Sequence, residues 1–283
     1  MRRPLQRPVP PTFRLRSYLG AASGSVEGVI PTGGWAISLL DVGAIPMESE
    51  QLAPEGVFTG TVDTPVNALL LRGHGRTVLV DAGSGILAGL WPGTTDDLAG
   101  RLAEAGCRPD AIDLIVLTHL DFDHVGGVIE LAPRPAPGLS PRPRGGAGRG
   151  RSGRAVRRDR RPQSSPPARR VPRRLGLLDE LEDGAEPAPG LRLRSAPGHR
   201  AGHSVLEIGG ADPLVHLADI VHHPLHCEHL EWDATDSDPA LALETRRALL
   251  AELAERRARV VGSHLPGVGL VERAGDSFRW TPV

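Results

Sequence analysis

The sequence contains no lysine: all 33 basic residues among its 283 are Arg, set against 34 acids for a formal net charge of −1. Taken over the whole chain, that balance argues against a protein that coats nucleic acid or a membrane surface. Aromatic residues are also scarce, at four Trp, four Phe and one Tyr, so a core has to be built from layered Leu, Val, Ile and Ala. Two cysteines, Cys107 and Cys227, are too few for a disulfide framework, which predicts a reducing, cytoplasmic home. No run approaches the roughly 18–20 consecutive apolar residues of a membrane span, so no membrane partner is expected. The opening MRRPLQRPVPPTFRLRS has no apolar signal-peptide core, and residues 1–12 read as a disordered basic tail. What is plentiful is Gly (35) and Pro (27), which with the missing Lys is the signature of GC-rich codons.

The arginines are unevenly placed. Residues 131–178 hold fourteen Arg, nine Pro and seven Gly with a single acid, Asp159, and no aromatic residue. This segment carries +13, and the remaining 19 Arg and 33 acids leave −14. Its composition is that of a disordered chain. Two readings compete: a frame-shifted or disordered insertion, since a GC-rich frame displaced by one base yields such Arg, Pro, Gly and Ala, or an arginine-glycine tract that binds RNA phosphates. Nucleic acid is a partner only if the tract is genuine; otherwise the expected partner is a small-molecule substrate, and the oligomeric state is not legible.

Around that segment the pattern is regular. WAISLLDV (35–42), VNALLLR (66–72) and RTVLVD (76–81) read as strands, the last two joined by a GHG hairpin turn. TTDDLAGRLAEAGC reads as a helix capped by Thr94 or Thr95, with Asp96 and Asp97 in its first turn and Gly106 after its end. IDLIVLT (112–118) is a strand with both faces covered. In the last third LRLRSAP, HSVLEIGG and PLVHLAD give three more strands, Asp238 and Pro239 open a helix, and RVVGSHLPGVGLVE closes with strand and loop. The order β-β-β-α-β, which recurs in the last third, predicts two sheets flanked by helices.

At the end of the buried strand, HLDFDHVGG places His119, Asp121, Asp123 and His124 within six residues. Such crowding of imidazoles and carboxylates is costly unless a cation sits among them, and the donor types suit zinc, iron or manganese. His199 and His203 (APGHRAGHS), Asp219 (HLADIVHHP) and His264 (GSHLP) lie at further strand-to-loop boundaries. Ligands from several strand ends that converge at one sheet edge leave an open coordination position, as a catalytic site requires.

These pieces, in order, resemble the metallo-β-lactamase superfamily of metallo-hydrolases. The matches are THLDFDHVGG, PGHRAGH, the Asp of LADIVHHP and the His of SHLPGVG, with VNALLLR and TVLVDAG similar to the family's N-terminal hairpin. DIVHHP and SHLPGVG look most similar to the branch of quorum-quenching lactonases and phosphotriesterases such as methyl parathion hydrolase. The resemblance implies an α/β (α+β) domain over 13–283, a four-layer αββα sandwich of two mixed sheets, interrupted by 131–178. It also implies one metal on His119, Asp121 and His199, a second on Asp123, His124 and His264, and Asp219 bridging them. The ions would be one or two Zn2+, with Fe or Mn admitted because Asp121 stands where the family usually has His. The implied activity is hydrolysis of a lactone, ester, thioester or phosphotriester by a metal-bound hydroxide, with Asp123 as proton acceptor. The alternative is a non-catalytic or RNA-binding member, its activity impaired by the abnormal 131–178 segment.

The other polar residues take lesser expected roles. His203 and Asp81 are expected to support the ligands, and His222, His223 and Trp232 to line a substrate pocket. The remaining histidines between 216 and 229 read as loop and pocket wall.

Overall fold

The chain's long apolar strand, LLLR within Thr61–Gly73, is buried on both faces, and this sets the layering in the computed structural model, which describes residues 29–131 and 180–283. Side chains alternate across a strand. Leu69 and Leu71 therefore face one core with Trp35, Ile37, Val78 and Val116, and Leu70 faces another with Leu79, Leu98 and Leu102. The expected tail over 1–12 lies outside the described residues. So does the 131–178 segment except Leu131, which ends the helix Phe122–Leu131.

Two six-stranded sheets form. The first runs β1 (Ile30–Thr32), β2 (Trp35–Glu48), β3 (Thr61–Gly73), β4 (Arg76–Val80) and β6 (Leu114–Val116), with the two-residue β5 (Thr95–Asp96) paired to β2. The second is ordered β12 (Ser277–Pro282), β11 (Gly269–Ala274), β10 (Arg259–Val261), β9 (Leu214–His216), β8 (Ser204–Ile208), β7 (Leu191–Ser195). The sheets meet face to face, with Leu69, Leu71 and Val80 against Leu191, Leu206 and Ile208. The helices Leu98–Glu104 and Phe122–Leu131 cover the outside of the first sheet. The helix Pro239–Arg256 covers the second through Leu249, Leu250 and Leu253. The result is the expected four-layer αββα sandwich of mixed sheets.

Each sheet contains one parallel pair, β4 with β6 and β9 with β10, joined by a crossover that includes a helix. The loops at the carboxyl ends of these four strands carry Asp81, His119, Asp219 and His264. Two local details differ from the sequence reading. Thr95 and Asp96 pair with Gly43 and Ala44 as β5, and Asp97 caps the helix by accepting from Gly100 N. Asp96 is occupied with Ser84 N at 2.7 Å, leaving the next carboxylate to cap. Strand 112–118 shortens to Leu114–Val116 because the chain leaves the sheet early to form the donor loop. Among the described residues no helix is long and apolar enough to cross a membrane.

Candidate metal centre

The HLDFDH loop is held from beneath by Asp81. One carboxylate oxygen of Asp81 accepts from Thr118 N at 2.9 Å, and the other from the Thr118 hydroxyl and His124 Nδ1, both at 2.9 Å. The Asp81 backbone is left-handed, at φ 56, a conformation Asp tolerates better than most residues. Burial opposes its ionisation, but the His124 charge and the hydrogen bonds from His124 and His216 hold its carboxyl well below the usual range. With Nδ1 of His124 committed to Asp81, its Nε2 is left for the site.

The donor loop and the helix that follows it press hard on the loop after β4. Ala82 N donates to His124 O at 2.8 Å and Gly126 N to Gly83 O at 3.0 Å, and a Cβ on either Gly126 or Gly127 would overlap the carbonyl of Ser84 or Ala82. The glycine pair after His124 thus permits the approach that places Asp123 and His124 in the helix's first turn.

The remaining histidines are fixed in the same manner. His264 Nδ1 lies 2.8 Å from Pro65 O, and its loop is clamped by Asn67 Nδ2, which donates to Gly262 O at 3.0 Å and Leu265 O at 2.7 Å. His199 Nδ1 meets Asp236 Oδ1 at 3.2 Å, and His222 Nδ1 meets Asp233 Oδ2 at 2.7 Å. His203 does not face the centre. Its Nδ1 is 2.8 Å from Ala196 O and its Nε2 accepts from Asp219 N at 3.1 Å, so it holds the Asp219 backbone in place. Burial, with the nearby His119, pushes its imidazole well below the ordinary value.

Asp219 stands at the middle. Its Oδ1 lies 3.2 Å from His124 Nε2 and 3.5 Å from His264 Nε2. Its Oδ2 lies 3.5 Å from His119 Nε2, 3.4 Å from His199 Nε2 and 3.2 Å from His222 Nε2. Asp123 Oδ2 joins the first set, 3.4 Å from His264 Nε2 and 3.5 Å from His124 Nε2. Ala218, just before it, takes φ 48, a strained conformation for alanine at this turn. The two donor groups, Asp123–His124–Asp219–His264 and His119–His199–Asp219, are buried throughout, with their ligand atoms within 4.8 Å of one another.

Electrostatics match that geometry. Burial works against an ionised Asp219, yet the imidazoles of His124, His264, His119 and His222 hold it well below the carboxylate range. Burial alone would lower the imidazoles, but the facing carboxylates push His124 and His222 well up and His264 to about 9. The Nε2 atoms of His119, His124 and His199 and Oδ1 of Asp219 are buried with no well-aligned hydrogen-bond partner. Unpaired buried donors and acceptors are expensive. Imidazole nitrogens and carboxylate oxygens converging without partners fit divalent cations, which would displace the protons those imidazoles attract.

A third group, His222, His226 and Asp233, also lies within ligand distance, but its atoms are already used. His226 Nε2 meets Leu52 O at 2.9 Å, His226 Nδ1 accepts from His222 N at 3.2 Å, and Asp233 takes Arg246 Nη2 at 3.2 Å beside His222. A guanidinium there excludes a metal ion.

A cleft of about 220 Å3 opens onto the donors. Ile45, Met47, Trp91 and Phe122 form an apolar side, and Arg200 and His222 stand on the polar side. His222 lines the cleft as expected, whereas His223 and Trp232, expected beside it, do not. His223 is turned into its own loop, accepting from Leu225 N at 3.2 Å, and Trp232 stacks on His229 with centroids 3.5 Å apart. Trp91 takes the place expected of Trp232. Asp121 lies at the rim, its Oδ2 3.9 Å from His119 Nε2 and 3.6 Å from His199 Nε2, but 2.7 Å from Arg200 Nε. Sequence reasoning missed Asn67, Arg200, Asp233, Asp236 and Arg246. For Arg246 a signal existed: it falls in the stripe Ala242, Arg246, Leu249, Leu253 that the helix buries.

The metallo-beta-lactamase superfamily model matches residues 61–264. Solved structures with the same fold include AidC, a dizinc quorum-quenching lactonase in complex with a product, at 21% identity, covering 92% of this chain and 98% of that one with a TM-score of 0.67. The hydrolase AbOPH of the beta lactamase superfamily is 21% identical, covers 90% and 97%, and has a TM-score of 0.63. A probable metal-dependent hydrolase from Staphylococcus aureus is 16% identical, covers 90% and 99%, and has a TM-score of 0.66. A search of curated proteins finds no match to this chain.

Proposed function

The chain belongs to the metallo-beta-lactamase superfamily and is a metal-dependent hydrolase; from that premise we propose that its ions are zinc and that it cleaves a lactone or ester bond in a small apolar-armed substrate. Thioesters and phosphotriesters are the neighbouring chemistries. The observation that carries this reading is Asp219, whose two oxygens each face their own set of imidazoles. His119 and His199 with Asp219 would hold one ion, with Asp121 at its rim, and Asp123, His124 and His264 with Asp219 the other. When bound, such ions supply a water acidic enough to ionise near neutral pH and polarise the scissile oxygen.

The chain's own groups do the rest. Ile45, Met47, Trp91 and Phe122 seat the substrate's apolar arm and exclude water from the donor side. Asp123 accepts a proton from the attacking water and returns it to the leaving oxygen. His222 lines the cleft with Nδ1 on Asp233 and Nε2 3.2 Å from Asp219 Oδ2; these two carboxylates favour its doubly protonated form, in which Nε2–H can be offered to the substrate's carbonyl or phosphoryl oxygen. Structural neighbours support the lactone and zinc choices: AidC is described as a dizinc lactonase, and another neighbour, 18% identical, as an N-acyl homoserine lactone hydrolase with its product at the catalytic metal centre.

Metal analysis of the purified protein with a lactone, aryl-ester, thioester and phosphotriester panel tests this. Lactone or ester turnover with bound zinc is expected, abolished together with metal content in His119→Ala and Asp219→Asn. Asp123→Asn should cost roughly 10²–10⁴-fold in kcat. Stoichiometric zinc with turnover confined to phosphotriesters would overturn the substrate assignment, and undiminished turnover in metal-free protein the whole reading.

A further inference from the structure

The two donor groups are not equivalent, and Arg200 makes the difference. The group Asp123, His124, Asp219 and His264 brings four buried ligand atoms together. The group of His119 and His199 shares Asp219 Oδ2; beside it stand His222, its Nε2 3.2 Å from that oxygen and its Nδ1 tied to Asp233, and at the rim Asp121, the one further carboxylate. The Asp121 oxygen that faces those imidazoles, Oδ2 at 3.9 Å from His119 Nε2 and 3.6 Å from His199 Nε2, is the one that accepts from Arg200 Nε at 2.7 Å.

The guanidinium is also anchored. Its Nη1 donates to His199 O at 2.9 Å, to Thr235 O at 2.7 Å and to Ser237 Oγ at 3.3 Å, so the loop that carries His199 and the loop at 235–237 both hold it over Asp121. The side chains are 30% and 18% exposed, which leaves the pair partly shielded from solvent. One carboxylate oxygen, Oδ2, is therefore contested between a fixed cation and any ion that arrives between His119 and His199.

We propose that Arg200 is a tethered competitor for the metal at the His119–His199 position. It withholds Asp121, so the Asp123–His124–Asp219–His264 position fills first and tightly while the second ion binds weakly and exchanges. This rests on the metal-dependent reading above. An ion that needs Asp121 binds only the fraction of molecules in which the pair is open. If that fraction is about one in ten, apparent affinity falls about tenfold.

The test is titration of the metal-free, full-length protein with zinc against a chromophoric chelator, repeated with cobalt to follow each site's spectrum. The wild type should show two classes of site separated by about tenfold or more. Arg200→Gln should tighten the weaker class by about tenfold and leave the tighter one unchanged, with Arg200→Lys falling between them. Asp121→Asn should change the weaker class little when Arg200 is present but weaken it about tenfold in the Arg200→Gln background, a coupling that loss of fold in one variant would not mimic. Two classes of equal affinity with hydrolysis intact, or Arg200→Gln weakening the second ion, would overturn the proposal while leaving the metallo-hydrolase reading standing. A wild type that takes up no zinc and hydrolyses nothing would overturn both.

Discussion

Arg246 shows how much of the centre depends on residues that never touch it. Its guanidinium is 2% exposed. It donates to the carbonyls of Ile220 and Leu230, to Asp233 at 3.2 Å and to Asp236 at 2.8 Å. Those two carboxylates in turn fix His222 and His199. Arg246→Met would strand two buried acids, at a cost of about 3–5 kcal/mol, and release both imidazoles. Denaturant unfolding should register that loss, and chelator competition a fall in metal affinity of roughly 10–100-fold. Arg246→Lys should recover part of the stability but less of the affinity, because an ammonium cannot serve four acceptors in a planar fork; equal affinity in all three proteins would refute the positioning role. The donors themselves were legible because four of them crowd into His119–His124, a density with no cheap structural explanation. Asp233 and Asp236 were not, since acids in DATDSD look like a solvated turn until a buried Arg is brought to them. Trp232 misled for a related reason: nearness in sequence to His222 suggested the cleft, whereas tertiary packing delivers Trp91 from a different loop.

At the scale of elements, the start of the helix Phe122–Leu131 is the part most sensitive to volume. A methyl at Gly126 would run into the Ser84 carbonyl, and overpacking of this kind costs about 1–3 kcal/mol. Gly126→Ala should lower Tm by roughly 5 °C and weaken zinc at the Asp123–His124 position, both readable by calorimetry on metal-free and loaded protein. An unchanged Tm with unchanged zinc affinity would show that the loop after β4 has room to yield. Alternation of apolar residues revealed most strands, and the Asp238–Pro239 cap located the long helix. What alternation could not give was the full length of β2: its register shifts between Asp41 and Gly43, and Pro46 lies further along the same strand. The bulge interrupts the period-two pattern, and proline reads as a stop, so the strand appeared to end at Val42.

For the whole molecule, the near-neutral charge conceals an acidic body. Outside 131–178 the chain carries −14, and Asp81, Asp121, Asp123 and Asp219 concentrate part of that charge at one edge of the sandwich. The fold class could be read from the repeated β-β-β-α-β grouping together with the motif order. Closing the two sheets into one site could not, because β4, β6, β9 and β10 meet only through long-range pairing and crossover connections. Ions bound at that junction tie the two sheets together, so binding energy is also stability: saturating zinc at 100 times its Kd adds about 2.7 kcal/mol per site. The most direct measurement follows zinc content, lactone hydrolysis and Tm in one chelator titration. Hydrolysis and Tm should fall together as zinc leaves and return on its restoration in the wild type but not in Asp219→Asn; hydrolysis that persists after the zinc is gone, or that survives in Asp219→Asn, would contradict the account.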